Sequence, residues 1–344
     1  MTTVDWDTAI SVAGRFSGSY PLADTYHERK FAMMAGGYVA RASDMVAEET
    51  GLTLPGAPVV DVITRDDWVR TNTESFAVLM SPLEESLRET PGVGHGIAGK
   101  VMGMELGAVL GFLSKRVLGQ YELVLPTGDA DQGDTVLFVG ANVLAMERKF
   151  EFRPSHFRFW VALHECAHRA QFTGVPWMRE YFLSLVGELV ASSKTSGGQV
   201  ARVVGELARG DVSRDDLLGD AGLIGVFASP EQKAVLDKVQ ALMSLLEGHG
   251  HVVMDRIGER EIVDVARMSS VLKARRKDPK TAAFMKLIGI EMKLKQYEQG
   301  ARFIQDVEKT ASWDALSMAW ESPETLPTIS EIGDAPKWLD RMHG

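Results

Sequence analysis

FRFWVALHECAHRAQF, from Phe157 to Phe172, carries more chemistry per residue than any other part of this 344-residue chain. On a helix at about 100° per residue, with His164 at zero, His168 falls near 40°. Val161, Phe157 and Gln171 lie on the same side. Phe159, Ala162, Leu163, Cys166 and Ala170 occupy the opposite side, a packing face, and Arg158, Glu165 and Arg169 form a third, charged strip. The segment is therefore expected to be a helix that packs on one face and presents two imidazoles on another. Cys166 belongs to the packing face, so it reads as a small core residue and not as a nucleophile.

Two histidines at i and i+4 with a glutamate beside them make the H-E-x-x-H pattern, whose spacing suits a zinc ion. Zinc takes imidazole nitrogens and a carboxylate, and a catalytic site keeps one position for a water whose pKa falls toward about 7. Glu165 is then expected as the general base and not as a ligand: it takes a proton from the zinc-bound water as that water attacks a carbonyl, and passes it to the leaving amine. The bland alternative is a buried helix whose two histidines are satisfied by hydrogen bonds.

The third ligand has to come from elsewhere. Glu188 follows His168 by 20 residues, but the turn at Thr173 to Pro176 would leave it roughly 18 Å down the next helix. Glu180 is at a better depth, in the charged pair Arg179-Glu180. Glu247 sits among Leu242, Met243, Leu245, Leu246, Val252 and Val253, where a lone carboxylate is costly. His251 shares its face at i+4, and Gly248 and Gly250 leave room beside them. Three readings stay open here: Glu247 as ligand, a Glu247–His251 core ion pair, or His251 as ligand or oxyanion stabiliser. His249 points away from Glu247.

Composition sets bounds. A hydrophobic content of 45% and a charged content of 24% are those of a soluble globular protein. The net charge of -10 argues against nucleic-acid binding, which needs a basic face. Cys166 is the single cysteine, which excludes a disulfide within the chain and fits a reducing, cytoplasmic setting. The N-terminal MTTVDWDTAI has no basic region followed by an apolar run, so no secretory signal is expected. Gly96 to Leu113 is apolar but interrupted by Lys100 and Glu105, which disfavours a membrane span. Its Gly99, Gly103, Gly107 and Gly111 recur every four residues and predict a groove for a closely packed helix.

Along the chain, the expected elements are helices over Asp5–Phe16, Leu22–Glu49 and Trp68–Leu87, the last capped by Thr64 and Asp67. A strand is expected at Val59–Ile63, and a hairpin from Tyr121–Leu125 and Thr135–Val139 around a long tip. Helices follow over Trp177–Ser192, Glu231–Ile257 and Thr281–Ala311. Asp211–Gly219 reads as a short charged helix, Leu223–Ser229 as an unassigned apolar stretch, and Lys273 to Lys280 as a solvated basic helix end. The proline- and tryptophan-bearing tail from Ser312 is expected to strap the body.

HECAHRAQFTGVPWMR, LLEGHGHVVMD and the closing SPETLPT and APKWLDR resemble the zincin-like metallopeptidase family of type 2, one branch of which is associated with biosynthesis of a deazaflavin coenzyme. The resemblance spans about Trp68 to Arg341. It implies a mainly helical zincin fold, a zinc held by His164 and His168 with Glu247 as third ligand, and Glu165 as base. It supplies no substrate. Cys166 departs from the bulkier residue expected between the histidines. Zincins usually set a strand along the cleft with a free edge for an extended peptide. The strand at Thr135–Val139 would then place Phe138 to Ala141 in the groove, unless it is paired on both sides.

The expectation is thus a mainly α (α+β) protein, a single domain over 1–344 with a helical part (1–120) and a part (121–344) holding the hairpin and both histidine helices. It is expected to be a cytoplasmic zinc-dependent peptidase or amide hydrolase acting on a peptide or small amide. No nucleic-acid or membrane partner is expected, and the glycine ridge leaves room for a homo-oligomer. The other readings are an inactive zincin serving as a scaffold, and a metal-free helical adaptor.

Overall fold

The computed structural model describes residues 4–18, 20–88, 95–123, 134–192, 230–276 and 292–343. The predicted segments Asp211–Gly219 and Leu223–Ser229, the hairpin tip and the end of the basic run lie outside them. The chain is mainly α-helical with a small three-stranded sheet, and forms two compact units.

The first unit comprises Met1–Gly174 with Ile257–Val263. Its elements are α1 (Trp6–Ser17), α2 (Tyr26–Thr50), β1 (Val59–Ile63), α3 (Arg65–Arg88), α4 (His95–Ser114), β2 (Gly119–Glu122), β3 (Thr135–Val139), α5 (Gly140–Phe150) and α6 (Pro154–Thr173). Capping follows the sequence: Asp5 accepts the N–H of Thr8 at 2.9 Å, and Asp67 Oδ2 accepts the N–H of Thr64 at 3.1 Å.

The glycine ridge of α4 receives α1. A Cβ on Gly103 would lie 2.3 Å from the carbonyl oxygen of Asp5, one on Gly107 2.4 Å from that of Ala9, and one on Gly111 2.9 Å from that of Ala13. Only hydrogen at these positions lets the two backbones touch, so the predicted groove is filled by the chain's own helix. Leu110 of α4, Ala13, Trp68, Val69 and Val139 close one core cluster there. Among the described residues, no helix is long and apolar enough to cross a membrane.

The sheet order is β1-β3-β2, with β1 parallel and β2 antiparallel to β3. The hairpin is present with β2 shifted to Gly119–Glu122. β3 is central and paired on both sides, with Phe138 and Val139 fully buried. The expectation that Phe138 to Ala141 line a substrate groove is therefore wrong: the outer strand on this side of the sheet is β2. Gly140 to Asn142 open α5, a helix that periodicity did not reveal.

The second unit comprises Val175–Arg256 and Asp264–Gly344. It holds α7 (Met178–Ser192), most of α8 (Pro230–Glu261), α9 (Val265–Arg276), α10 (Met292–Thr310), 3-10 turns at Asp314–Trp320 and Pro323–Thr325, α11 (Ile329–Ile332) and α12 (Ala335–His343). The tail is a succession of short helices folded on α10. Fully buried Trp338 packs edge-on against Phe303, with ring centroids 5.5 Å apart, and donates its indole N–H to the Thr325 carbonyl at 2.8 Å. Arg341 bridges Glu331 at 2.8 Å and 3.0 Å. Helices α8 and α10 cross at Gly248 and Gly300, where a Cβ on Gly300 would fall 1.8 Å from the Ser244 carbonyl.

Candidate metal centre

Helix α6 starts with Pro154 in its first turn, where the missing N–H costs nothing. From Phe157 to Gln171 every residue is buried except His164 and His168. The sequence predicted one packing face. The structure instead packs every direction around the helix, leaving partial access at the two imidazoles alone.

The charged strip is buried too. Arg158 makes a two-pronged pair with Glu147 of α5, at 2.7 Å and 2.9 Å. Burial pushes the Glu147 carboxyl up from its ordinary range, while the Arg158 guanidinium pulls it down. Arg169, fully buried, donates to Asp134 at the foot of β3 and to the carbonyls of Pro55 and Gly56 at 2.7 Å and 3.0 Å. One pair sits on each side of the H-E-x-x-H segment and ties it to α5 and to the sheet. Breaking such a buried pair typically costs about 3–5 kcal/mol.

Cys166 is fully buried, its sulfur 3.5 Å from the Ser43 hydroxyl and 3.6 Å from the Val39 carbonyl. Burial pushes its thiol up to about 12, so it stays protonated, as a core residue should.

The two histidine rings meet edge to face with centroids 4.6 Å apart. Nδ1 of His168 lies 2.9 Å from Oε1 of Gln171, which is fully buried one turn on. With the amide oxygen accepting, the ring proton is on Nδ1 and the Nε2 lone pair is left for a metal. Sequence reasoning placed Gln171 on the histidine side but gave it no task. The i+3 spacing was the available signal.

Glu165 is buried at 4% exposure, and its Oε2 accepts the backbone N–H of Tyr121 in β2 at 2.9 Å. Strand β2 lies against α6, and the Tyr121 ring stacks on Phe172 at 6.4 Å. On its other face β2 is fixed to α3. Trp68 Nε1 donates to Gln120 at 2.6 Å, Asn72 donates to the same oxygen at 3.1 Å, and the Ser75 hydroxyl donates to Glu122 at 3.1 Å.

Helix α6 thus offers two adjacent imidazoles of the kind a zinc ion takes. Glu247 is 8% exposed. Its neighbours on α8 have other partners: His251 Nε2 lies 3.4 Å from Asp255 Oδ2, and buried His249 stacks on Trp313 at 5.8 Å and meets Trp320 edge-on at 5.1 Å. Glu180 and Glu188 on α7 are exposed.

A family model described as zincin-like metallopeptidase matches residues 4–339. The match thus reaches the N-terminal helices, upstream of Trp68. Among solved structures, the chain is similar to one from Chloroflexus aurantiacus described as a candidate hydrolase with a novel fold. The two are 28% identical, the likeness covers 99% of each chain, and the TM-score is 0.74. Comparison with curated proteins gave no match.

Proposed function

Because the chain belongs to the zincin-like metallopeptidase family, we propose that it is a zinc-dependent peptidase or amide hydrolase. His164 and His168 would hold the metal with Glu247 as third ligand, and the observation that carries this assignment is the pair of imidazoles, 4.6 Å apart, that α6 leaves accessible on an otherwise buried stretch. The Gln171 contact to His168 supports it, since it leaves Nε2 as the donor. The full-length likeness to a chain described as a candidate hydrolase favours hydrolysis over a purely structural role.

Zinc, when bound, supplies Lewis acidity that activates water near neutral pH and polarises the amide carbonyl. Glu165 is assigned the proton transfers. Its carboxylate takes the proton released as water adds to the carbonyl carbon, and delivers it to the amine as the C–N bond breaks. The Tyr121 N–H holds one oxygen of that carboxylate in place. His251, one turn beyond Glu247 on α8 and oriented by Asp255, is assigned stabilisation of the developing oxyanion. The substrate class is a peptide or small amide.

Elemental analysis of the purified chain should give one zinc per molecule; protein that takes up none after zinc loading refutes the assignment. On a peptide library, Glu165→Gln should keep zinc and fold and lose roughly 100- to 10,000-fold in kcat. If the chain is an inactive scaffold, neither form cleaves.

A further inference from the structure

We propose that Gly119 is a positioning residue for Glu165: the side chain it lacks is the slot in which that carboxylate is held. The inference rests on the reading of Glu165 as general base, and it assigns strand β2 the task of aiming it.

A Cβ on Gly119 would lie 2.8 Å from Oε1, 2.9 Å from Cγ and 3.0 Å from Cδ of Glu165. These distances are well inside carbon contact, so every other residue type pushes the carboxylate off its place. Backbone conformation does not call for glycine here. Gly119 lies in a paired strand, and the described glycines with positive φ are Gly18, Gly51 and Gly56. The contact with Glu165 is what excludes a side chain.

Neither partner can step aside. Glu165 is buried and held by the Tyr121 N–H. Strand β2 is locked by its register with β3, with Gly119 opposite Phe138 and Tyr121 opposite Val136, and by the Gln120 and Glu122 bonds to α3. The strand therefore grips the helix at two points two residues apart. Tyr121 donates to one carboxylate oxygen, and Gly119 makes room for the other. The same geometry commits the Tyr121 N–H, so an extended peptide cannot use that group to dock.

A double-mutant cycle on the full-length, zinc-loaded protein tests this. Gly119→Ala should lower the thermal midpoint by about 3–10 °C in the wild-type background. In a Glu165→Ala background, where the methyl has space, the same change should shift it by no more than about 1 °C. Equal shifts in both backgrounds overturn the proposal. If Gly119→Ala alone does not fold, recovery of folded protein on adding Glu165→Ala supports it, and no recovery overturns it. Where hydrolysis is measurable, Gly119→Ala should cost roughly 100-fold in kcat, with zinc content and KM unchanged; loss of zinc instead speaks for a merely structural role. Coupling between the two positions in a protein without zinc or hydrolysis would refute the proposed function and leave the Gly119–Glu165 pairing standing.

Discussion

Two helices carry the proposed ligands, and they use the same residue types in opposite ways. On α6, the charged residues are consumed inside the first unit: Arg158 by Glu147, Arg169 by Asp134. The histidines are what remains accessible. On α8 the roles reverse. His249 is spent on packing between Trp313 and Trp320, His251 faces Asp255, and Glu247 is the proposed third ligand. A histidine is a ligand, a packing ring or an ion-pair member according to its neighbours. The motif names candidates, and the surrounding side chains assign the work.

The contrast on α8 predicts the largest effect. Glu247→Ala should abolish stoichiometric zinc, whereas His251→Ala should retain it; metal content by elemental analysis reads both. The reverse pattern would make His251 the third ligand. On α6, Arg169→Met leaves Asp134 short of its partner and should cost about 3–5 kcal/mol in denaturant unfolding. That is far more than loss of the more exposed Arg41–Glu261 pair on the same unit, worth at most about 1 kcal/mol. Gln171→Ala should weaken zinc binding by roughly 10- to 100-fold in a competition titration, through loss of ring orientation alone. The smallest effect is expected at Cys166: a thiol reagent should fail to label it in the native protein, with or without chelator, because it is fully buried.

How much of this was legible depended on the range of the interaction. Helix α6, its start at Pro154 and the core role of Cys166 follow from residues within a few turns of one another, and the sequence was enough. The glycine ridge was also readable, because four residues in register on α4 state that something must approach, although not that α1 does so. Helix α5 was missed because Gly140-Ala141-Asn142 imitates a turn, and the helix starts without a side-chain cap. Its identity comes from burial on several sides, which no local pattern carries. The burial of Arg158 and Arg169 could not be read from a helical wheel, since Glu147 and Asp134 reach them only once the sheet and α5 are folded. The central place of β3 was likewise set by β1, more than seventy residues earlier. Gly119 gave no signal at all. One glycine before a short β-rich run looks like punctuation until Glu165 stands beneath it.

The α1–α4 contact has a consequence for how the chain is made. Ala9 and Gly107, whose backbones touch, are nearly a hundred residues apart. At the usual pace of synthesis, α1 waits about 5–20 s on the ribosome before its groove exists. Throughout that interval Ala9 and Ala13, fully buried in the finished protein, face solvent or a chaperone. Slow decoding between the two helices would lengthen that wait and lower the yield of folded protein without altering one residue of it.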